Sequence, residues 1–377
     1  MKFSCFYIMT EPEKMGFPYI ESLIASLKIF DEVVVVIGRD EEESDRKLAN
    51  VQKFLESDYK SFCPSSMPRE TERKLKIVRT NAWPEDGWHY DVMRDHLNIA
   101  LESCTGDYCV KIDADHVFRD QFNSEIRNVI HHMAKTEFYV PINLLHFYKH
   151  QVLSFRGLMR KDLSNCYVIN KKQMAKYGAH CKIMNKSGSN RPVFFDRYGR
   201  EMELPVRSLI GDINVKEHVS QEEYRKIYNM FVKRVCPINY SYTFCNKEQI
   251  SRYWSRWFKA KSLKFTQEPE FDYDDMDASF RHFLNYYHTG KIPKKKPAGS
   301  LKNSKSVFGA TKSEFDVSPY DFTQNGIFYV NQSDPELSDF IYPFMAHPSV
   351  MQQRIVTMDK TMWGYNNFQD EWDKIKS

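Results

Sequence analysis

The spacing of apolar residues changes several times along the first 150 residues, and each change marks an element. Phe3–Met9 is an apolar run of strand length. Between Pro18 and Phe30 the apolar residues Ile20, Leu23, Ile24 and Leu27 recur at helical spacing. The VVVVI of Asp31–Gly38 is a β-branched run suited to a strand buried on both faces. Ser44–Leu55 returns to helical spacing, and Leu75–Val78 predicts a short third strand. Val92–Leu101 places Met93, Leu97 and Ala100 on one side of a helix. Asp107–Asp113 (DYCVKID) predicts a fourth strand, Phe122–Ala134 a helix and Phe138–Leu145 another strand. Strand and helix alternating at this spacing predict an α/β fold: a mostly parallel sheet with helices on both faces. Ligands of such sheets bind outside the carboxyl ends of the strands, where the strand order reverses. The loops after Met9, Ile37 and Ile112 are therefore where chemistry is expected.

Beyond residue 150 the pattern changes. Gln151–Asn170 and Pro192–Ile210 read as strands and irregular connections, and Gln221–Val232 and Lys247–Lys261 as helices. An acidic stretch, EPEFDYDDMD (268–277), precedes a predicted helix over 278–288. KIPKKKPAGSLKNSKS (291–306) follows, with six Lys and no acid, and its composition predicts an exposed loop. No internal repeat is found.

A length of 377 residues suggests roughly two domains. Hydrophobic residues at 42% and charged residues at 28% are ordinary for a globular chain, and 14 Gly exclude a collagen-like or Gly-rich repeat. The formal charge of +4 permits contact with polyanions without announcing a nucleic-acid binder. No run reaches the 18 or so apolar residues of a membrane span. The N-terminus is interrupted at Glu11, too soon for a signal peptide, and reads as a first strand. The eight Cys (5, 63, 104, 109, 166, 181, 236 and 245) never fall in C-x-x-C spacing. That excludes a zinc ribbon and points to a reducing, cytoplasmic compartment.

Several signatures are absent. There is no G-x-x-x-x-G-K-[ST], no G-x-G-x-x-G after the first strand, no H-E-x-x-H and no G-x-S-x-G. The first loop reads TEPEKMG, with a single Gly. A parallel sheet without a Gly-rich phosphate loop must hold an anionic ligand another way, and a metal ion is the usual substitute. Asp113-Ala114-Asp115-His116 closes the fourth strand. Residues two apart on an extended chain point to the same side, so Asp113 and Asp115 can share Mg²⁺ or Mn²⁺, and the ion can bridge to diphosphate oxygens. D-x-D alone is common, and it recurs at 272/274 and 275/277 within the acidic run. Only the first copy ends a predicted buried strand. His116 could join the metal shell or be a loop residue without a role.

The block MRDHLNIALESCTGDYCVKIDADHVF (93–118) resembles the corresponding segment of family 2 glycosyltransferases of the GT-A fold. Arg94, Ile99, Ala100, Gly106, Asp107, Tyr108, Ile112, Asp113 and Asp115 match that family's pattern, while Asp95 and His96 depart from it. The resemblance covers about residues 1–120. INYSYTFCNKEQISRYWSRWF (238–258) and the His-Pro segment in MAHPSVMQQRI (345–355) are faintly similar to later family segments. The resemblance implies a GT-A type sheet, a nucleotide-diphosphate sugar donor (a UDP-sugar is expected), Mn²⁺ or Mg²⁺, and inverting transfer. Asp113 and Asp115 would carry the metal and diphosphate, and Thr10, Glu11 and Asp40 would line the nucleotide pocket. Arg94 would lie near the diphosphate or base. The competing reading of Arg94 is a surface residue paired with Asp91 or Asp95, and that of Asp40 is a helix N-cap.

Inversion needs a general base. Asp212 is the first choice, followed by Glu217 and His218, and His218 is also a candidate third metal ligand. The acceptor is hardly encoded. Tyr253, Trp254, Trp257 and Phe258 suit a helix core or a stacking platform, and the Lys run at 291–306 suits a solvated loop or a phosphate track. A glycan or lipid-linked saccharide is the expected acceptor, with a hydroxylated base in phage-type DNA as the alternative. A sugar-nucleotide pyrophosphorylase would need a Gly-rich first loop that is not here. A GT-A-like binding module without catalysis is the non-enzymatic reading. The expected division is a catalytic domain over 1–235 and a C-terminal, mainly helical and aromatic extension over 236–377 that shapes the acceptor site.

Overall fold

A computed structural model describes residues 1–10, 12, 15–38, 74–80, 83, 89–142, 144–148, 152–154, 166–186, 189–204, 235–240, 243–246, 248–249, 347–358 and 362. The strands are β1 (Phe3–Met9), β2 (Glu32–Ile37), β3 (Leu75–Arg79), β4 (Tyr108–Lys111), β5 (His116–Val117), β6 (Tyr139–Ile142), β7 (Leu145–Tyr148), β8 (Val152–Ser154), β9 (Cys166–Asn170), β10 (His180–Lys186), β11 (Ser189–Phe195) and β12 (Ile238–Asn239). The helices are α1 (Tyr19–Ile29), α2 (Tyr90–Ser103), α3 (Asn123–Ala134), α4 (Lys171–Tyr177) and α5 (Ser349–Val356).

Six strands form the central sheet in the order β3-β2-β1-β4-β9-β6. β3, β2, β1 and β4 run parallel, and β9 lies antiparallel between β4 and β6. The β-branched run of β2 is buried at every position, as a strand covered on both faces requires. On one face Phe6, Val34 and Val36 pack with Leu97, Ala100 and Leu101 of α2 and with Ile183 and Phe194 of the β10–β11 hairpin. On the other, the Tyr7 hydroxyl meets the Ser22 and Ser26 side chains of α1. The expected α/β architecture, mostly parallel with helices on both faces, is thus observed. Pro141 sits in β6, an edge strand, where its missing N–H breaks no ladder.

Several boundaries move from the expectations for physical reasons. The fourth strand ends at Lys111 rather than Asp113, because the chain turns there: the His116 N–H donates to the Asp113 carbonyl at 3.0 Å. Phe138–Leu145 is not one strand. β6 stays in the central sheet, while β7 joins a second, four-stranded sheet in the order β5-β12-β7-β8. Lys171–Tyr177 is a helix that the hydrophobic spacing does not announce. The expected helices at 44–55, 221–232, 247–261 and 278–288, and the Lys run, lie wholly or almost wholly outside the described residues.

The amino edge of the sheet is stapled by Glu32. Its carboxylate accepts from Ser4 Oγ, from Thr105 N at 2.7 Å and from Thr105 Oγ1 at 2.9 Å. Burial raises its pKa, but these hydrogen bonds outweigh burial and hold it below the usual range, so Glu32 is ionised near neutral pH. Glu32→Ala strands three donors and is expected to destabilise the fold by about 1–3 kcal/mol in urea denaturation. An unchanged midpoint would show that the staple is not structural.

Candidate active site

The strand order reverses between β1 and β4: β2 and β3 extend the sheet one way from β1, β9 and β6 the other way from β4. The carboxyl ends of β1, β2 and β4 therefore open onto one edge. Three backbone bonds fix the loops there. Gly38 N donates to Met9 O at 3.2 Å, Thr80 N to Ile37 O at 2.9 Å and Trp83 N to Gly38 O at 2.9 Å.

Beyond β4 the segment Asp113–His116 forms a tight turn clamped from two sides. Ser22 Oγ on α1 donates to the His116 carbonyl at 2.5 Å, and Tyr240 N donates to the Asp115 carbonyl at 2.8 Å. β12 pairs antiparallel with β5 through Asn239 and His116. The turn presents one ligand atom each from Asp113, Asp115 and His116, all within 4.8 Å of one another. Asp115 and His116 are buried, at 6% and 1% exposure, and Asp113 is half-buried. Asp113 N donates to His116 Nδ1 at 3.3 Å. The proton of a neutral imidazole then belongs on Nε2, which lies 3.6 Å from Asp115 Oδ1. Nε2 also lies 3.3 Å from Asn239 Nδ2, and with the ring nitrogens so engaged the two carboxylates remain as the hard ligands. Two clustered carboxylates beside an imidazole fit Mg²⁺ or Mn²⁺. The same turn also meets Lys111, whose Nζ lies 2.5 Å from Asp113 Oδ1.

A second group of residues lies at the ends of β1 and β2. Thr10 Oγ1 is buried and has no hydrogen-bond partner among the described residues. His96 of α2 donates from Nδ1 to Val92 O at 2.7 Å, which leaves Nε2 to accept from Thr80 Oγ1. Burial lowers the His96 pKa, so the ring stays neutral near pH 7. Trp83 meets His96 edge-on, with centroids 5.2 Å apart. A Cβ on Gly38 would come within 2.9 Å of His96 Nε2, Thr10 Oγ1 and Trp83 Cε3. Only a glycine fits between them, so Gly38→Ala is expected to lower stability by about 1–3 kcal/mol through overpacking. A urea midpoint equal to that of wild type would contradict this packing.

Arg94 sits on the exposed side of α2 and is held by Asp91 at 2.7 Å and Asp95 at 2.8 Å, the arrangement of its competing reading. Asp113, Asp115 and Thr10 lie along the carboxyl edge. Glu11, Asp40, Asp212, Glu217 and His218 lie outside the described residues, as do Tyr253, Trp254, Trp257 and Phe258.

The spacing of apolar residues did not point to Thr80, Trp83, His96 or Lys111, nor to a buried network joining the metal-turn segment to the C-terminal one. Tyr240 Oη lies 2.7 Å from His347 Nδ1. Asp120 receives Lys28 Nζ and Ser349 Oγ at 2.5 Å each and Ser349 N at 3.0 Å. Arg354 pairs with Glu21 of α1 at 3.1 Å. Among the described residues no helix is long and apolar enough to cross a membrane.

No family model and no curated protein matches this chain. Among solved structures, S. aureus TarS 1–349 is 15% identical, with coverage of 99% of this chain and 92% of that one and a TM-score of 0.35. The same protein in complex with UDP-GlcNAc gives 14% identity, the same coverages and a TM-score of 0.35. Glucosyl-3-phosphoglycerate synthase from Mycobacterium tuberculosis, in complex with Mn²⁺, UDP and glucosyl-3-phosphoglycerate, is 14% identical over 45% of this chain and 57% of that one, with a TM-score of 0.26. At these identities and TM-scores the likenesses assign neither a family nor an activity to this chain.

Proposed function

We propose that this protein is a GT-A type glycosyltransferase that moves a sugar from a nucleotide-diphosphate donor, a UDP-sugar in the first instance, to an acceptor hydroxyl. The observation that carries this reading is the buried Asp113–Asp115–His116 turn at the switch point of a parallel sheet. Asp115 and Asp113 would hold Mn²⁺ or Mg²⁺, and such an ion, when bound, neutralises the leaving diphosphate as a Lewis acid. In this reading the nucleoside lies along the carboxyl ends of β1 and β2, beside Thr10 and Gly38. In the inverting reaction the acceptor oxygen bonds to the anomeric carbon as the carbon–oxygen bond to the diphosphate breaks. The bonding pair leaves on the diphosphate, and the acceptor proton passes to a carboxylate base, Asp212 or Glu217 in this reading. His218 remains the candidate for a third ligand. The acceptor is a glycan or lipid-linked saccharide, with a hydroxylated DNA base as the alternative. The reading divides the chain into a catalytic domain, 1–235, and an acceptor-shaping extension, 236–377. It places the protein in the cytoplasm, which the seven free cysteines among the described residues support.

A thermal-shift screen of nucleoside diphosphates and nucleotide-sugars, with and without Mn²⁺, tests the reading. A ligand at one hundred times its dissociation constant stabilises by about 2.7 kcal/mol. A Mn²⁺-dependent shift with one nucleotide is expected, together with slow hydrolysis of its sugar ester. A shift without hydrolysis or transfer would favour the binding-module reading, and no shift with any nucleotide would remove both.

A further inference from the structure

Lys111 closes β4, two residues before Asp113, and is 6% exposed. Its neighbours across the sheet are Phe6 on β1 and Tyr167 on β9, so its stem is fixed within the central sheet. Its ammonium has been carried to the carboxyl edge and set 2.5 Å from Asp113 Oδ1. A lysine is rarely buried without a partner that repays its desolvation, and here the partner is one of the two carboxylates of the metal turn. The ammonium offsets one of the two carboxylate charges of the turn. An ion ligated by that same carboxylate oxygen at about 2.1 Å would lie within about 5 Å of the ammonium. At that distance two like charges repel appreciably even with protein-like screening.

We propose that Lys111 is a resident counter-cation that competes with the divalent ion for Asp113, and so sets how much metal the site needs. The inference rests on the metal reading given above. Without metal, Lys111 offsets one of the two carboxylate charges of the Asp113–Asp115 turn. With metal, the ion takes Asp113 from the ammonium, so affinity is lower than two free carboxylates would give. A purely structural lysine makes the opposite prediction, because loosening the turn would weaken metal binding.

The test is a Mn²⁺ titration of the nucleotide-free full chain, read by electron paramagnetic resonance of the free ion. It compares wild type, Lys111→Met, Lys111→Gln, Lys111→Arg and Asp115→Asn. The expected result is one saturable site in wild type, binding tighter by about tenfold or more in Lys111→Met and Lys111→Gln. Lys111→Arg keeps the charge and should stay near wild type, and Asp115→Asn should lose the site. Equal or weaker binding in both neutral variants, each with a cooperative thermal melt, would overturn the role of Lys111 while the metal reading stands. No saturable binding in wild type or in either neutral variant would remove the metal reading, and the inference with it. If Lys111→Met does not melt cooperatively, Lys111→Gln against Lys111→Arg decides the question on its own.

Discussion

Asp115→Asn is expected to lower metal-dependent sugar transfer by about a hundred- to a thousandfold, the range found when one group that stabilises developing charge is removed. The substitution preserves shape. The backbone of the turn is held independently of the carboxylate, by Tyr240 N on the Asp115 carbonyl and by Ser22 Oγ on the His116 carbonyl. The loss should therefore appear in turnover and in the Mn²⁺ concentration needed for half-maximal rate, with the metal-free melting temperature close to wild type. Asp113→Asn should lose less, because Asp113 is half-buried and already shared with Lys111. Initial rates across a Mn²⁺ series measure both. Unchanged rates in Asp115→Asn would take the metal away from this turn.

The second large effect concerns pH and the segment 347–358. Burial, reinforced by the nearby Arg119, lowers the His347 pKa to about 3. The imidazole is fully buried beside the Tyr240 hydroxyl, at 2.7 Å. In the unfolded chain it takes a proton near pH 6.5. Between these values the unfolded state binds more protons than the folded one, so stability falls as pH falls. The slope approaches about 1.4 kcal/mol per pH unit, or about 2 kcal/mol between pH 6.5 and 5. His96, lowered by burial in the same direction, adds to the loss. Urea denaturation of wild type and His347→Gln at pH 7 and pH 5 isolates the His347 share. Wild type should lose about 2 kcal/mol more than the variant, and equal losses would contradict a neutral, buried His347.

What the sequence made legible was what local spacing encodes. The apolar runs of β1 and β2 and the helical periods of α1, α2 and α3 are long enough to declare themselves. The Asp pair stood out because it follows directly on a run that reads as a buried strand. The seven residues of α4 span about two turns, too few for a period to emerge. Its ends were nonetheless marked, by Asn170 accepting from Gln173 N and by Gly178 at φ 65°. The five buried residues of β9 carry no sign of direction, so its antiparallel insertion between β4 and β6 could not be read locally. Lys111 was visible as a strand residue, but its burial depends on β1 and β9 closing around it. The Thr10, Gly38, Thr80, Trp83 and His96 group exists only once β1, β2 and β3 are aligned. His347 meets Tyr240 across 107 residues, and Ser349 meets Asp120 across 229, distances at which spacing says nothing.

The most direct test of the central claim is a crystal structure of the full chain grown with Mn²⁺ and the nucleotide that gives the thermal shift, with anomalous data collected for manganese. The account predicts one anomalous peak about 2.1 Å from an Asp115 carboxylate oxygen, bridged to the diphosphate, with the base against Thr10 and Gly38. A manganese peak at another site, or a nucleotide bound away from the β1–β4 edge, would contradict it.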